Sequence, residues 1–446
     1  MLPKQKIGND KKAIQCLVLS CFICVAVFLL TIPLPRSDGH LTGSDGLSYY
    51  AITQSMILDQ DLDFTNDYKW LGVSQGLTAI GVPANPFAIG TALLWIPFFL
   101  VAHLVSVLLN LIGFQLPLNG TGYIYEAGVC LATIIYASLG FILAYRTIRK
   151  TSVGDSFNSW CGTIAMWWAT PAIYYIIAEP SMSHGLTVFT LALFMSVWYP
   201  PSPNRSIRDW VKIGLATGLV ALVRWQDGII ALIPLVEICW WMYQRKLTIV
   251  CGAYRIFIFV TTLVIAFLPQ MLMWKAVYGV FLTIPQGSDF LVWDQPQIIQ
   301  TLFSTRHGLI SWHPIFLLAI LGLIPLWKKD KVFALVIIFM FVGELYVNSA
   351  VCRWWADDAF GGRRFTSLVP LFAVSLASLL TMEKMQKWII VCIVILIIWN
   401  GLSLFQYRLG FVSMSAALTL REMTVDRVLI PLEVFGKFLS WVALRL

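Results

Sequence analysis

The chain has 446 residues, of which 59% are hydrophobic and only 12% are charged, and its mean hydropathy is +0.78. Soluble domains carry about 25% charged residues, so this composition excludes a soluble protein and predicts an integral membrane protein. The net charge of +8 does not indicate a nucleic-acid partner, because Lys and Arg collect in the cytoplasmic loops of membrane proteins. The nine Cys show no CxxC or metal-ligand spacing, so we expect neither a disulfide framework nor a zinc site.

Apolar runs separated by polar loops predict an all-α polytopic protein with about 11 membrane-spanning helices. The N-terminal apolar run is too long for the hydrophobic part of a signal peptide and lacks a small-residue cleavage site, so we expect a retained first span. The predicted spans cover residues 13–34, 123–145, 158–178, 183–199, 209–223, 228–243, 255–278, 309–327, 331–350, 366–381 and 388–405.

Clusters of basic residues give the predicted orientation of these spans. With the spans above, all the clusters fall on one side of the membrane, which the positive-inside rule assigns to the cytoplasm. The clusters are Lys4 to Lys12, Arg146 to Lys150, Arg205 to Lys212, Arg245 to Arg255, Lys328 to Lys331, and Lys384 with Lys387.

Segment 85–114 is apolar and long enough to span, but a single crossing there would move every later basic cluster to the outside. It contains Pro86, Pro97 and His103. We therefore expect a re-entrant or interface-lying pair of helices on the outer side, with any break buried in protein or lining a cavity. The tail, residues 408–446, is expected on the outer side as well, either as an interfacial amphipathic helix or as a further packed span.

The remaining ionisable residues fall mostly in five loops on the predicted outer side. Ionisable groups at a membrane are costly and mark a transport pathway or a reaction centre. Their convergence on one face therefore predicts an active site at the outer membrane boundary. The loops carry Asp38, Asp45, Asp59, Asp61, Asp63 and Asp67; then Glu179 and His184; then Arg224 and Asp227; then Arg306, His307 and His313; and finally Arg353, Asp357, Asp358, Arg363 and Arg364.

Six motifs follow one another along the chain, in these loops and at the start of segment 85–114: "DGLSYY", "NPFAIGTALLW", "EPSMSHG", "LVRWQD", "RHGLISWHP" and "FGGRRF". In this order they resemble the motifs of the GT-C superfamily of membrane glycosyltransferases. The likeness is to the dolichyl-phosphate-mannose-protein mannosyltransferases and the aminoarabinose transferases, and it extends over roughly residues 10–405.

The resemblance implies a catalytic domain over residues 1–407, with an outer loop and juxtamembrane helices within 35–122. It also implies an essential carboxylate in that loop and a sugar donor linked to a polyprenyl phosphate. The sequence has "SDG" where many members pair two acidic residues, which leaves open which residue is the base and whether a metal takes part.

Sugar transfer from a lipid phosphate with inversion needs a base for the acceptor hydroxyl and positive charge beside the leaving phosphate. Asp45 is our predicted base; its alternative role is to cap the following helix. Arg353, Arg363 and Arg364 are predicted to bind the donor phosphate; the alternative is contact with lipid headgroups.

Most of the other candidate site residues have a structural alternative. Asp61, with Asp59 and Asp63, either holds a divalent cation or belongs to a solvated turn. The further candidates are Glu179, which could instead pack or cap; His184, which could be a buried structural histidine; Arg224, which could pair with Asp227; and Arg306 and His307, which could contact donor or acceptor.

The expected partners are the lipid-linked donor, a glycan, lipid or protein acceptor, and the bilayer. The expected location is the cell membrane, as in a bacterial inner membrane, with the site on the extracytoplasmic side. A transporter or lipid-linked glycan flippase is the alternative, which Glu237 and Glu344 inside predicted spans keep open. An O-antigen-ligase-like or polymerase-like enzyme is a third option, although such enzymes lack the early acidic loop.

Overall fold

The computed structural model describes residues 4–32 and 39–443, so Asp38 lies outside the described residues. Within them the chain is almost entirely helical and contains no β-sheet, which confirms the all-α prediction. The helices are α1 Lys4–Thr31, α2 Asp45–Gln54, α3 Thr65–Leu71, α4 Gly90–Leu111, α5 Tyr123–Ile148, α6 Ser156–Trp168, α7 Tyr174–Ile177, α8 His184–Trp198, α9 Ile207–Val223, α10 Leu232–Tyr243, α11 Ile249–Tyr278, α12 Ile298–Phe303, α13 Leu309–Trp312, α14 Ile315–Leu321, α15 Leu323–Lys329, α16 Lys331–Ser349, α17 Val369–Leu379, α18 Glu383–Arg408, α19 Leu420–Met423 and α20 Val425–Ala443.

In the described chain, 6 helices are long and apolar enough to cross a membrane. Helices α1, α5, α11, α16 and α18 coincide with predicted spans, and α4 is the additional one. The other predicted spans consist of shorter helices or of helical pieces joined by turns, as α14 and α15 are joined at Gly322. The total number of crossings therefore stays a prediction.

Segment 85–114 differs from the expectation. It forms one continuous helix, α4, which runs through Pro97 without a break. Proline removes one backbone donor, but the apolar residues on both sides favour continuation of the helix. The expected pair of helices is wrong, whereas the placement of this segment on the outer side stays a prediction.

The described chain divides into two compact units. We call residues 10–147 and 175–289 the acidic-loop unit, and residues 1–9, 148–174 and 290–446 the arginine unit. The tail after residue 408 groups with the arginine unit.

The acidic-loop unit is built around the close packing of α9 against α11. Gly214 and Gly218 form a G-x-x-x-G pattern on α9, which is typical of helix pairs in membranes because small residues let backbones approach. A Cβ on Gly218 would collide with Ala266, and one on Gly214 with Thr262. Glycine is therefore required at both positions.

The arginine unit is centred on α17, in which every residue from Val369 to Leu379 is buried. Gly162 of α6 brings that helix against it, since a Cβ there would lie 2.7 Å from the carbonyl oxygen of Ala373. Gly322 does the same from the turn between α14 and α15, against Ser375. Helix α17 is thus the buried core helix of this unit.

Candidate active site

The segment of residues 40–67, which carries Asp45, Asp59, Asp61, Asp63 and Asp67 and which we call the acidic loop, is held at its start by Glu126, in the first turn of α5. One carboxylate oxygen of Glu126 accepts hydrogen bonds from the backbone nitrogens of Leu41 at 2.6 Å and Thr42 at 2.8 Å, and from the Thr42 hydroxyl at 3.0 Å. The other oxygen lies 3.1 Å from Nδ1 of His40. Glu126 is only 1% exposed, so this buried carboxylate clamps the chain ahead of Asp45. No sequence pattern distinguishes this residue.

Asp45 is half-buried and is the first residue of α2. Ser44, with φ 52°, occupies the N-cap position, so Asp45 lies in the first turn, where the helix dipole favours a negative charge. The hydroxyl of Ser181 accepts a hydrogen bond from the backbone nitrogen of Gly43 at 3.1 Å. A Cβ on Gly46 would collide with Ser181, so the close approach requires glycine beside Asp45.

The "EPSMSHG" motif lies against the acidic loop. Besides the Ser181 contact, the hydroxyl of Tyr49 donates to Ser183 at 3.1 Å. Glu179 and His184 of the same motif are both buried. The ring of His184 packs 4.7 Å from that of Tyr175. The geometry therefore supports a packing role for His184.

Arg224 ends α9 and is buried together with Asp227 in the following turn. The end of α9 also contacts the start of α4, since a Cβ on Gly90 would collide with the backbone of Leu222. The "LVRWQD" motif therefore packs beside the "NPFAIG" motif, within the same unit as Asp45.

Asp59, Asp61 and Asp63 are engaged in local hydrogen bonds. Oδ1 of Asp61 accepts from the Ser55 hydroxyl at 2.7 Å, and Oδ1 of Asp63 from the Thr65 hydroxyl at 2.6 Å. Among residues 4–32 and 39–443, no three His, Cys, Asp or Glu side chains converge as metal ligands would. These contacts favour the interpretation of the three carboxylates as part of a solvated turn. Binding of a divalent cation stays a prediction, and the described residues offer no set of ligands for it.

Asp67 is a second acidic residue whose environment the sequence did not reveal. It is fully buried in α3, and neither carboxylate oxygen has a hydrogen-bond partner in the part of the chain that the structure describes. Burial raises its pKa to about 7, with a further contribution from the negative charge of Asp59. Asp67 therefore titrates near neutral pH.

In the arginine unit, His307, Arg363 and Arg364 line one small cavity together with Trp354 and Trp355. Its volume is about 10 Å³, which is room for about one water molecule. The unit therefore brings three predicted site residues together, but a phosphate does not fit in this arrangement.

The predicted phosphate-binding arginines differ in their surroundings. Arg363 is buried, whereas the Arg353 side chain is 67% exposed and lies 3.4 Å from Asp357. Arg364 donates to the carbonyl oxygens of Arg353 at 3.1 Å and Trp354 at 3.4 Å. Arg364 thus anchors the loop that carries Arg353.

Arg306 and His307 both lie beside the loop of residues 353–364: Arg306 contacts Trp355, and His307 lines the same small cavity. The guanidinium of Arg306 packs 4.0 Å from the ring centroid of Trp355 and donates to the carbonyl oxygen of Ser415 at 2.6 Å. Burial lowers the pKa of His307 to about 4. His307 is therefore neutral at pH 7 and adds no positive charge beside the arginines.

Glu237, which kept the transporter alternative open, belongs to a hydrogen-bonded cluster within the acidic-loop unit. It accepts from Nε of Arg205 at 3.1 Å, from Nε1 of Trp198 at 2.8 Å and from the backbone nitrogen of Ser202 at 2.9 Å. A buried charge with this many partners is a structural anchor. Glu344 binds Nδ2 of Asn348 at 2.9 Å.

A scan against protein-family profiles matches no family, and a search of curated proteins by sequence matches no relative. Solved structures, in contrast, share the fold. ArnT from Cupriavidus metallidurans in the apo state aligns with a TM-score of 0.50 at 14% identity, over 82% of this chain and 60% of that chain. ArnT bound to undecaprenyl phosphate gives a TM-score of 0.49 at 13% identity, over 87% and 72%.

The archaeal oligosaccharyltransferase AglB from Archaeoglobus fulgidus, in complex with an inhibitory peptide and a dolichol-phosphate, aligns with a TM-score of 0.50. The identity is 12%, over 92% of this chain and 56% of that chain. The chain thus spans little more than half the length of AglB, and at these identities the likeness concerns the fold. The chain therefore shares its fold with ArnT and AglB.

Proposed function

We propose that the protein is an integral-membrane glycosyltransferase that moves a hexosyl or pentosyl group from a polyprenyl-phosphate-linked donor to an acceptor on the extracytoplasmic side of the cell membrane. The observation that carries this proposal is the GT-C fold shared with AglB, whose structure holds a dolichol-phosphate. The acceptor is a glycan, a lipid or a protein.

In the proposed reaction Asp45 acts as the general base. The acceptor hydroxyl gives its proton to the Asp45 carboxylate while its oxygen attacks the anomeric carbon, which carries positive charge as in glycoside hydrolysis. The bond to the donor phosphate breaks on the opposite face of the sugar, so the configuration inverts. Support comes from the position of Asp45, which is half-buried in the first turn of α2. Gly43 and Gly46, on either side of it, lie against Ser181, and a catalytic group needs such a rigid support.

Negative charge develops on the leaving phosphate during transfer. We assign the stabilisation of this charge to the arginine residues of the "FGGRRF" and "CRWW" segments. Arg363 and Arg353 carry fixed positive charge, and a guanidinium matches a phosphate bidentately. Because the cavity beside Arg363 holds only about one water molecule, donor binding requires the loop of residues 353–364 to open.

The test is sugar transfer by purified protein in detergent, with radiolabelled sugar on polyprenyl phosphate and a panel of glycan, lipid and protein acceptors. We expect labelled product and free polyprenyl phosphate in equal amounts. A transporter or flippase needs a closed membrane for its activity, so turnover in detergent separates the two functions. Movement of lipid-linked sugar across vesicles without any transfer would overturn the proposal.

A further inference from the structure

Arg427, in the first turn of α20, is fully buried. Its three guanidinium nitrogens have no hydrogen-bond partner within the described residues. The nearby acidic side chains are engaged elsewhere: Asp426 lies 3.1 Å from Arg421, and Glu422 caps α19. A desolvated guanidinium without an anion is strongly unfavourable, so Arg427 carries a positive charge for which the described residues supply no anion.

The guanidinium of Arg427 instead lies 4.9 Å from the ring centroid of Trp399 on α18. A cation–π contact of this kind recovers only part of the cost of desolvation. It leaves the five N–H donors of the guanidinium without acceptors. The Trp399 ring therefore lies next to the Arg427 guanidinium at a position where an anion would stabilise that guanidinium better.

Trp399 also forms one wall of an apolar groove with a volume of about 370 Å³. That is room for roughly a dozen methylene-sized groups, at about 30 Å³ for each water-sized volume. Its mouth carries exposed apolar side chains, among them Ile395 and Leu420. The groove is lined by Phe303, Thr305, Ser311, Pro314, Ile395, Leu396, Trp399, Leu420, Met423 and Thr424.

We propose that this groove and Arg427 form a further binding site for a polyprenyl phosphate, besides the donor phosphate position assigned to Arg353 and Arg363, with the isoprenoid chain in the groove and the phosphate on the Arg427 guanidinium. The proposal deepens the proposed function and rests on it for the identity of the lipid. Binding displaces the Trp399 ring from Arg427, so that phosphate oxygens replace the cation–π contact. A phosphate on Arg supplies charge-assisted, bidentate hydrogen bonds.

A polyprenyl phosphate fits this site better than a membrane phospholipid for two reasons. The groove has room for one chain rather than two, and the complete burial of Arg427 favours a small phosphomonoester over a phosphate that carries a further headgroup. A buried cation beside an apolar groove also excludes a neutral lipid, because such a lipid would leave the guanidinium unpaired.

The test is photolabelling of the purified full chain with a photoreactive polyprenyl phosphate, followed by peptide mapping, in the wild type and in Arg427→Met. We expect labelling of the α18 segment around Ile395 to weaken by about 10- to 150-fold in Arg427→Met, the value of a charge-assisted contact. Arg421→Met is the matched control, because Arg421 is exposed and pairs with Asp426; its labelling should be unchanged.

Thermal unfolding of the lipid-free protein separates a binding role from a structural one. Replacing an unpaired buried charge with a hydrophobic side chain should raise the melting temperature of Arg427→Met. A lower melting temperature, or unchanged labelling of α18, would overturn the proposal. Competition by phosphatidylglycerol or by inorganic phosphate alone, at the concentration at which polyprenyl phosphate competes, would contradict the choice of lipid.

The transfer assay on the same preparations keeps this inference distinct from the proposed function. Labelling of α18 that depends on Arg427 supports the lipid site even if the wild type transfers no sugar, an outcome that rejects only the glycosyltransferase activity. Normal transfer by a wild type whose α18 is not labelled rejects only the lipid site.

Discussion

The Glu126 carboxylate lies 2.8 Å from the backbone nitrogen of Thr42, so the first turn of α5 holds the chain just ahead of Asp45. The same oxygen also accepts from the Leu41 backbone. Carboxylate–amide hydrogen bonds are about twice as strong as neutral ones. The position of the proposed base therefore depends on a residue far from it in the sequence.

Replacing Glu126 should disturb the acidic loop. In Glu126→Ala the buried backbone donors of Leu41 and Thr42 lose their acceptor, which costs about 1–3 kcal/mol for each unsatisfied group. We expect a lower melting temperature and a lower kcat, with Glu126→Gln intermediate because it keeps one acceptor oxygen. Glu433→Ala, at an exposed position, is the control. Wild-type kcat in a fully folded Glu126→Ala protein would show that the clamp does not position Asp45.

Asp45→Asn should abolish most of the transfer activity. The substitution keeps the size of the side chain, so the loss of a favourable charge at the start of α2 should cost about 1 kcal/mol or less. Loss of a general base lowers turnover by about a hundredfold or more. Turnover and melting temperature of Asp45→Asn are compared with those of Asp61→Asn and Glu179→Gln. An active Asp45→Asn beside an inactive, stable variant of either other residue would transfer the role of base to that residue.

Arg363→Ala should weaken donor binding without unfolding the protein. A charge-assisted contact to phosphate contributes about 1.5–3 kcal/mol, which corresponds to about 10- to 150-fold in Kd. Arg364→Ala should weaken binding as well, and it should also lower the melting temperature because Arg364 anchors the loop through the carbonyls of Arg353 and Trp354. Lipid-donor titration measures both effects, with exposed Arg208→Ala as the control. Unchanged Kd in both variants would remove these arginines from the site.

Asp67 should make stability depend on pH. Its pKa rises from 3.8 to about 7 on folding, so between these values the folded state binds more protons than the unfolded state. Stability therefore decreases as the pH rises from about 4 to 7 and stays lower above it. Asp67→Asn, which is always neutral, should melt above the wild type at pH 8 and near it at pH 4. Exposed Asp294→Asn is the control. A melting temperature of Asp67→Asn below that of the wild type at pH 8 would contradict a buried, uncompensated carboxylate.

The predicted orientation can be measured by cysteine labelling with a membrane-impermeant reagent in intact cells. Ser55 is fully buried and makes a poor probe. Ser74, between α3 and α4 on the predicted outer side, and Asn204, in a predicted cytoplasmic loop, are both exposed. We expect labelling of Ser74→Cys and none of Asn204→Cys, and the reverse pattern would overturn the topology. The exposed native cysteines must first be replaced: Cys16, Cys239, Cys352 and Cys392.

The sequence alone determined the all-α membrane class, because apolar composition and helix length reflect the thickness of the bilayer and not the packing of the chain. Through local motifs in order, it also predicted the fold that the chain shares with ArnT and AglB. It failed at 85–114, where proline and histidine suggested a break that the apolar context of α4 overrides. The sequence could not distinguish short buried helices, such as α6 and α17, from helices that span the membrane, because both kinds have the same apolar composition.

The tertiary structure decided which ionisable residues are buried and what they contact. Glu126, Asp67 and Arg427 look like ordinary surface charges in the sequence, since the residues that surround them are distant along the chain. Only packing reveals that Glu126 accepts hydrogen bonds from Leu41 and Thr42, while the side chains of Asp67 and Arg427 lack hydrogen-bond partners among the described residues. The reason is physical: desolvation and hydrogen bonding depend on atoms within a few ångströms, and those neighbours are set by the fold.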